Sequence, residues 1–316
     1  MKVGIVNPLT LVGNEIKTIL RERSFPYEKL VLLDSTGKTG GALTDIGDEP
    51  AVVTPVSDDE LEDLDIVFFT GPPAANREWI ERAEEDQFIA IDLSSAVDGK
   101  LVVAGINLDD VDASDRVIVS PHPVAIPIAL ILHQLGQIEI CTATVVQPAS
   151  VFDQEGVEEL AQQTISVLGV HAVPKEIFDR QLAFNLYPAL EHNEDLIVSQ
   201  VKALIGARAA IALMITQGTI FHGHTFSIFV KTRDALDAAQ INEALSRNPA
   251  IAFPEGDQQF GTIDAAGRDE VLIAETRPDP SIPGGFWVWA VCDNLRRGSA
   301  LNAVLIAERQ VVGRGS

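Results

Sequence analysis

From its first residues the chain alternates short β-rich runs with stretches of helical period, a rhythm that demands a parallel sheet with crossover helices. Val3 to Val6 reads as a strand, Gly13 to Arg23 as a helix and Lys29 to Leu33 as a second strand. Ile66 to Thr70 reads as a further strand, Trp79 to Glu85 as a helix, and Phe88 to Leu93 and Val117 to Ser120 as strands. The expected fold of this part is α/β, a doubly wound parallel sheet of the dinucleotide-binding type.

Beyond about residue 125 the rhythm changes. Ile126 to Leu135 is an apolar helix, Ile138 to Gln147 a long β-rich run and Gly156 to Leu168 an amphipathic helix. Met214 to Thr219, Phe226 to Thr232, Val271 to Glu275 and Phe286 to Val291 read as strands of a separate, mostly antiparallel sheet, and Leu295 to Val311 as one helix. The expected division is a Rossmann-like domain over residues 1–124 with 295–316, and an α+β domain over 125–294. A chain of 316 residues suits two domains of ordinary size, and 46% hydrophobic residues suffice for both cores.

The two cysteines, Cys141 and Cys292, lie inside apolar runs and offer neither a disulfide framework nor a zinc pattern, so no metal is expected. Cytoplasm is the expected location, since no apolar targeting or membrane-spanning stretch is present. A formal charge of −23 argues against nucleic acid or anionic membrane as partner, because either needs clustered cations to neutralise phosphates.

The loop after the first strand, Asn7-Pro8-Leu9-Thr10-Leu11-Val12-Gly13, stands where a dinucleotide-binding domain cradles a pyrophosphate against a helix N-terminus. Only Gly13 keeps the GxxGxxG spacing; Asn7 and Thr10 occupy the positions of the first two glycines. Asp34, followed by Ser35, closes the second strand about 20 residues on, where a carboxylate accepts from a ribose hydroxyl and repels a 2′-phosphate. The same Asp34 also suits the first position of a turn, Asp34-Ser35-Thr36-Gly37. Gly13, Thr10, Asp34 and Ser35 are the candidate cofactor contacts here. The expectation is no cofactor or weakly bound NAD, with NADP disfavoured.

Several segments together resemble the aspartate-semialdehyde dehydrogenase family over nearly the whole chain. They are Glu22-Arg23-Ser24-Phe25-Pro26, Asp92-Leu93-Ser94-Ser95, Gln147 to Leu160, His222-Gly223-His224-Thr225 and, most specifically, Asp293 to Ala303, DNLRRGSALNA. A narrower likeness, Asp179 to Pro188, DRQLAFNLYP, is to the family's Usg-type paralogues, which lack the cysteine nucleophile. The resemblance implies a second domain that builds a homodimer and a reaction with four parts. A thiolate attacks the carbonyl, a histidine handles protons, a nicotinamide takes the hydride, and cations hold carboxylate and phosphate.

Residue by residue, the resemblance places Pro123 at the nucleophile, within Ser120-Pro121-His122-Pro123-Val124-Ala125. It places His224 at the acid/base position, Gln147 at the glutamine beside the nucleophile, and Gln217 where an arginine holds the substrate carboxylate. Gln200 to Leu204 matches the other substrate segment only loosely. Asn294 takes the place of the residue that approaches the nicotinamide, although Asp293-Asn294 also suits a strand-to-helix turn. Two strand residues apart, His222 and His224 are expected on one face. These departures point to a non-catalytic paralogue that keeps fold and dimer, binding an unidentified protein or small ligand. The alternative is an NAD-dependent oxidoreductase acting on an aldehyde or oxo group without a covalent thioester.

Overall fold

A computed structural model describes every residue except 48, 191, 207, 208, 257, 315 and 316, with the backbone alone at 313 and 314. It divides into two compact units, residues 1–122 with 299–316 and residues 123–298.

The first unit carries a seven-stranded sheet, parallel throughout. Its order is Thr54–Pro55, Lys29–Asp34, Lys2–Val6, Ile66–Phe69, Ile89–Asp92, Val117–Val119, Lys100–Leu101. Strand side chains alternate between faces, so Val3 and Ile5 enter one core cluster and Val6 the other. The first cluster takes Ile16, Ile19 and Leu20 from the helix Leu11–Glu22 together with Ala303, Val304 and Ala307 from the helix Leu301–Arg314. Ile80 and Ala83 pack with Val6, Leu33, Val67 and Phe69 in the second. The chain's last helix therefore returns to the first unit because its apolar stripe completes that unit's core.

Three of the elements that differ from expectation lie in the first unit or lead into it. The helix expected at Trp79–Glu85 runs from Pro73 to Glu81, with Pro72 and Pro73 fixing its start. The single helix expected over Leu295–Val311 instead opens with a π-helical turn, Arg296–Ala300, before the α-helix. A hairpin, Leu43–Ile46 with Glu49–Val52, stands where no strand is expected.

The second unit is built on a seven-stranded mixed sheet. Its order is Leu186–Pro188, Ala210–Gly218, Ile138–Gln147, His224–Thr232, Gly285–Cys292, Val271–Pro278, Ile251–Ala252. Antiparallel pairings dominate, with parallel ones between Ile138–Gln147 and Ala210–Gly218 and between the last two strands. Cys141, Ala143 and Val145 are buried, whereas Glu139, Ile140, Thr142 and Thr144 are exposed. One face is thus a core and the other is open. Among the described residues no helix is long and apolar enough to cross a membrane.

Candidate functional site

In the first unit the strand ends converge on Asn7. The residue adopts a left-handed backbone (φ 58°), a conformation natural to glycine and tolerated by asparagine. Its side-chain amide donates to the carbonyl of Thr70 at 2.7 Å and to Ser35 Oγ at 3.0 Å, and its Oδ1 accepts from the Ser35 N–H at 3.2 Å. Ser35 Oγ donates in turn to Asn76 Oδ1 at 2.8 Å. Asn7 therefore ties together the ends of three neighbouring strands.

Thr10 caps the helix Leu11–Glu22. Its hydroxyl accepts from the Gly13 N–H at 3.0 Å, donates to the Asn7 carbonyl at 2.9 Å and lies 3.0 Å from Thr70 Oγ1. The helix N–H that a phosphate would recruit is engaged by the chain's own cap. Gly13 serves close packing: a Cβ there would stand 2.7 Å from the carbonyl oxygen of Asn7 and 2.8 Å from Pro8 Cα.

Asp34 is buried and closes its own loop. Oδ1 accepts from the Thr36 N–H and hydroxyl, and Oδ2 from the N–H groups of Thr39 and Gly40. A carboxylate offers about four acceptor sites, and all are engaged. Burial alone would raise its pKa, but the Thr36 hydroxyl and the three N–H groups outweigh it and bring it down to about 2. The folded pKa lies below its ordinary value of 3.8, so the stabilisation is complete above that value and is lost as pH falls through about 2. Asp34→Asn should be less stable at neutral pH and lose less stability across that acid window, measured by urea unfolding at a series of pH values.

The second unit gathers a polar row at one end of its sheet. Tyr187 pairs in register with Gln217, Gln217 with Gln147, and His224 with Cys292. All five side chains are buried. Gln147 Nε2 donates to Gln217 Oε1 at 2.9 Å, and Gln217 Nε2 donates back to the Gln147 carbonyl at 3.2 Å. One bond joins the two side-chain amides and the other runs to the main-chain carbonyl of Gln147, a neutral pairing where anion recognition would need a guanidinium fork. Asn294 Oδ1 accepts from the Gly223 N–H at 2.8 Å, and its amide donates to Ser150 Oγ at 3.0 Å. Ser150 was not singled out by sequence, since the contact spans 144 residues.

His222 and His224 do not share a face. Gly223 takes a φ of +89°, the strand starts only at His224, and His222 is exposed while His224 is buried with its ring edge-on to Phe226. Pro123 precedes the helix Ala125–His133, whose start has no side-chain cap. Burial holds the neighbouring His122 imidazole down to about 4, so it is neutral at pH 7. The thiols lie in the buried sheet. Burial pushes Cys141 up to about 12 and raises Cys292 as well, against the opposing influence of Arg297. Neither supplies a thiolate at neutral pH. Among the described residues no group of three His, Cys, Asp or Glu could hold a metal ion.

Residues 2–114 match the family model for the semialdehyde dehydrogenase NAD binding domain, and residues 129–297 that for the semialdehyde dehydrogenase dimerisation domain. The chain belongs to the semialdehyde dehydrogenase family. An aspartate-semialdehyde dehydrogenase from Rickettsia bellii is 28% identical over 98% of this chain and 97% of that protein. A USG-1 protein homolog from Pseudomonas aeruginosa is 29% identical, again over 98% and 97%. Among solved structures, aspartate semialdehyde dehydrogenase II from Vibrio cholerae complexed with ASA superposes with a TM-score of 0.92 at 27% identity, covering 98% of both chains. Proteins of both names thus align with 98% of this chain.

Proposed function

We propose that this chain is a non-catalytic member of the semialdehyde dehydrogenase family, retained as a homodimeric binding or regulatory protein. One observation carries the reading. Both thiols of the chain, Cys141 and Cys292, are buried in a sheet with raised pKa values, and the family resemblance puts Pro123 where the nucleophile would stand. A covalent thioester needs an accessible thiolate.

The residues of the first unit also fit a dinucleotide poorly. Thr10 engages the Gly13 N–H, Asn7 fills the strand ends and Asp34 has its acceptor sites engaged by its own loop. In the second unit Gln217 offers a neutral amide, already paired with Gln147, in place of a cation. The homodimer is supported by the match to a dimerisation domain and by the open sheet face, where Ile140, Met214 and Leu186 are exposed.

The test is thermal unfolding of the purified protein with NAD and, separately, NADP at concentrations far above ordinary dehydrogenase affinities. A ligand that binds only the folded state raises the midpoint. No shift is expected with either. A clear rise with NAD would instead support an oxidoreductase with His224 as general acid/base and no covalent intermediate.

A further inference from the structure

Residues 174–185 are shaped from beneath by two buried side chains on the helix Asp153–Leu168. Glu159 accepts from the N–H groups of Glu176, Ile177 and Phe178. Gln163, one turn on, accepts from the N–H groups of Leu182 and Ala183 and donates to the carbonyls of Pro174 and Arg180. From the other side, the Thr219 hydroxyl accepts from the Asn185 N–H at 3.0 Å and lies 2.5 Å from the Leu182 carbonyl. The Arg180 guanidinium covers the Tyr187 ring at 4.9 Å. The segment is thus fixed at both flanks and along its underside.

What this scaffold presents is Phe184. The turn Leu182 to Asn185 is closed by the Asn185 N–H on the Leu182 carbonyl at 2.8 Å, and Phe184 is its third residue at a φ of +61°. Glycine or asparagine adopts that conformation with least strain, and a bulky aromatic is a marked exception. The residue is 63% exposed. The residue therefore carries backbone strain and wets an aromatic surface at once, at the apex of a segment fixed by buried polar groups. A rigid, projecting aromatic is the form of an interface anchor, because little freedom remains to be lost when it is covered.

We propose that Phe184 is a preorganised anchor of the contact between two copies of this chain. The inference rests on the homodimer proposed above. A second copy is the occupant because the surface around Phe184 runs into the open sheet face: Leu186, two residues on, is 58% exposed and pairs with Gly218 at that sheet's edge. The whole surface lies within the residues matched to a dimerisation domain. A two-fold interface uses each residue twice, so the effect of removing the anchor is doubled.

The experiment is sedimentation velocity on the full chain over a dilution series, for wild type, Phe184→Gly, Phe184→Ala and Met214→Asp. Met214 is exposed on the open face and pairs in register with Thr144. Wild type should be dimeric, and both Phe184 variants should raise the dimer Kd by at least ~30-fold, the scale of an anchor residue. The glycine variant should show unchanged circular dichroism and a monomer no less stable than wild type, because glycine relieves the left-handed strain. Equal loss of dimer in both variants points to the ring and away from the backbone. If the Phe184 variants dimerise like wild type while Met214→Asp dissociates, the anchor is overturned and the dimer stands. A wild type that stays monomeric at every concentration overturns both.

Discussion

Gly13→Ala is expected to cost about 3 kcal/mol or more of folding stability, the upper range for overpacking, out of a total typically near 5–15 kcal/mol. In an open helix the same change would stabilise by up to ~1 kcal/mol, because alanine is the better helix former. The sign reverses here because the added methyl has no room. It would stand 2.7 Å from the carbonyl oxygen of Asn7, 2.8 Å from Pro8 Cα and 2.9 Å from the Pro8 carbonyl carbon. All three are backbone atoms, so no side-chain rotation relieves the contact. Moving the helix away would also break the Thr10 cap on the Gly13 N–H and disturb Ile16, Ile19 and Leu20 in the core. Urea unfolding should show a large drop in midpoint or, at the extreme, no soluble folded protein.

Glu159→Ala should have an effect of similar size by a different route. The carboxylate is 7% exposed and accepts from the N–H groups of Glu176 and Ile177, each at 2.7 Å, from the Phe178 N–H at 3.2 Å, and from Gln163 Nε2 at 3.1 Å. Alanine leaves the three backbone N–H groups without this acceptor, while Gln163 Nε2 keeps the carbonyls of Pro174 and Arg180. An orphaned buried donor costs roughly 1–3 kcal/mol; the Phe178 N–H is buried and those of Glu176 and Ile177 are partly open to water, so a loss of about 3 kcal/mol is expected. Glu159→Gln should fall between wild type and Glu159→Ala, since it keeps the shape and one acceptor while turning a second acceptor into a donor. Urea midpoints for the two variants give the order directly, and equal midpoints for wild type and Glu159→Ala would contradict the assignment.

Much of the fold was legible because the residues that carry its motifs hold the structure. In Asp293 to Ala303, the stretch most like its family, Asp293 accepts from the N–H groups of Leu295, Arg296 and Gly267. Asn302 accepts from the Ala104 N–H and donates to the Val102 carbonyl and Ser120 Oγ. These contacts hold the fold and require no catalysis. Two helices absent from the sequence reading did leave signals. Glu194–Ile205 has acids in its first turn and buried Ile197, Val201 and Leu204 at helical spacing. Ala238–Ser246 opens with a capping box between Asp237 and Gln240.

The site was less legible, because its contacts are made by strand register and not by sequence spacing. Gln147 and Gln217 are 70 residues apart and meet only because their strands pair in parallel at that step. Asp34 left two readings open in the sequence, ribose partner or turn former, and four short hydrogen bonds from Thr36, Thr39 and Gly40 make it the closure of its own turn. The positive φ of Gly223, which separates His222 from His224, could not be read from an alternating pattern that assumed an unbroken strand.

The most direct test is a single-turnover assay: the protein at concentrations comparable to the substrate, with aspartate semialdehyde, phosphate and NAD or NADP, followed by reduced-nicotinamide absorbance. On the proposed reading, in which Pro123 takes the nucleophile's place and both thiols are buried, no burst and no steady rate above the protein-free control is expected with either cofactor. A phosphate-dependent burst approaching one equivalent per chain would contradict a non-catalytic role and would require a nucleophile other than an accessible cysteine.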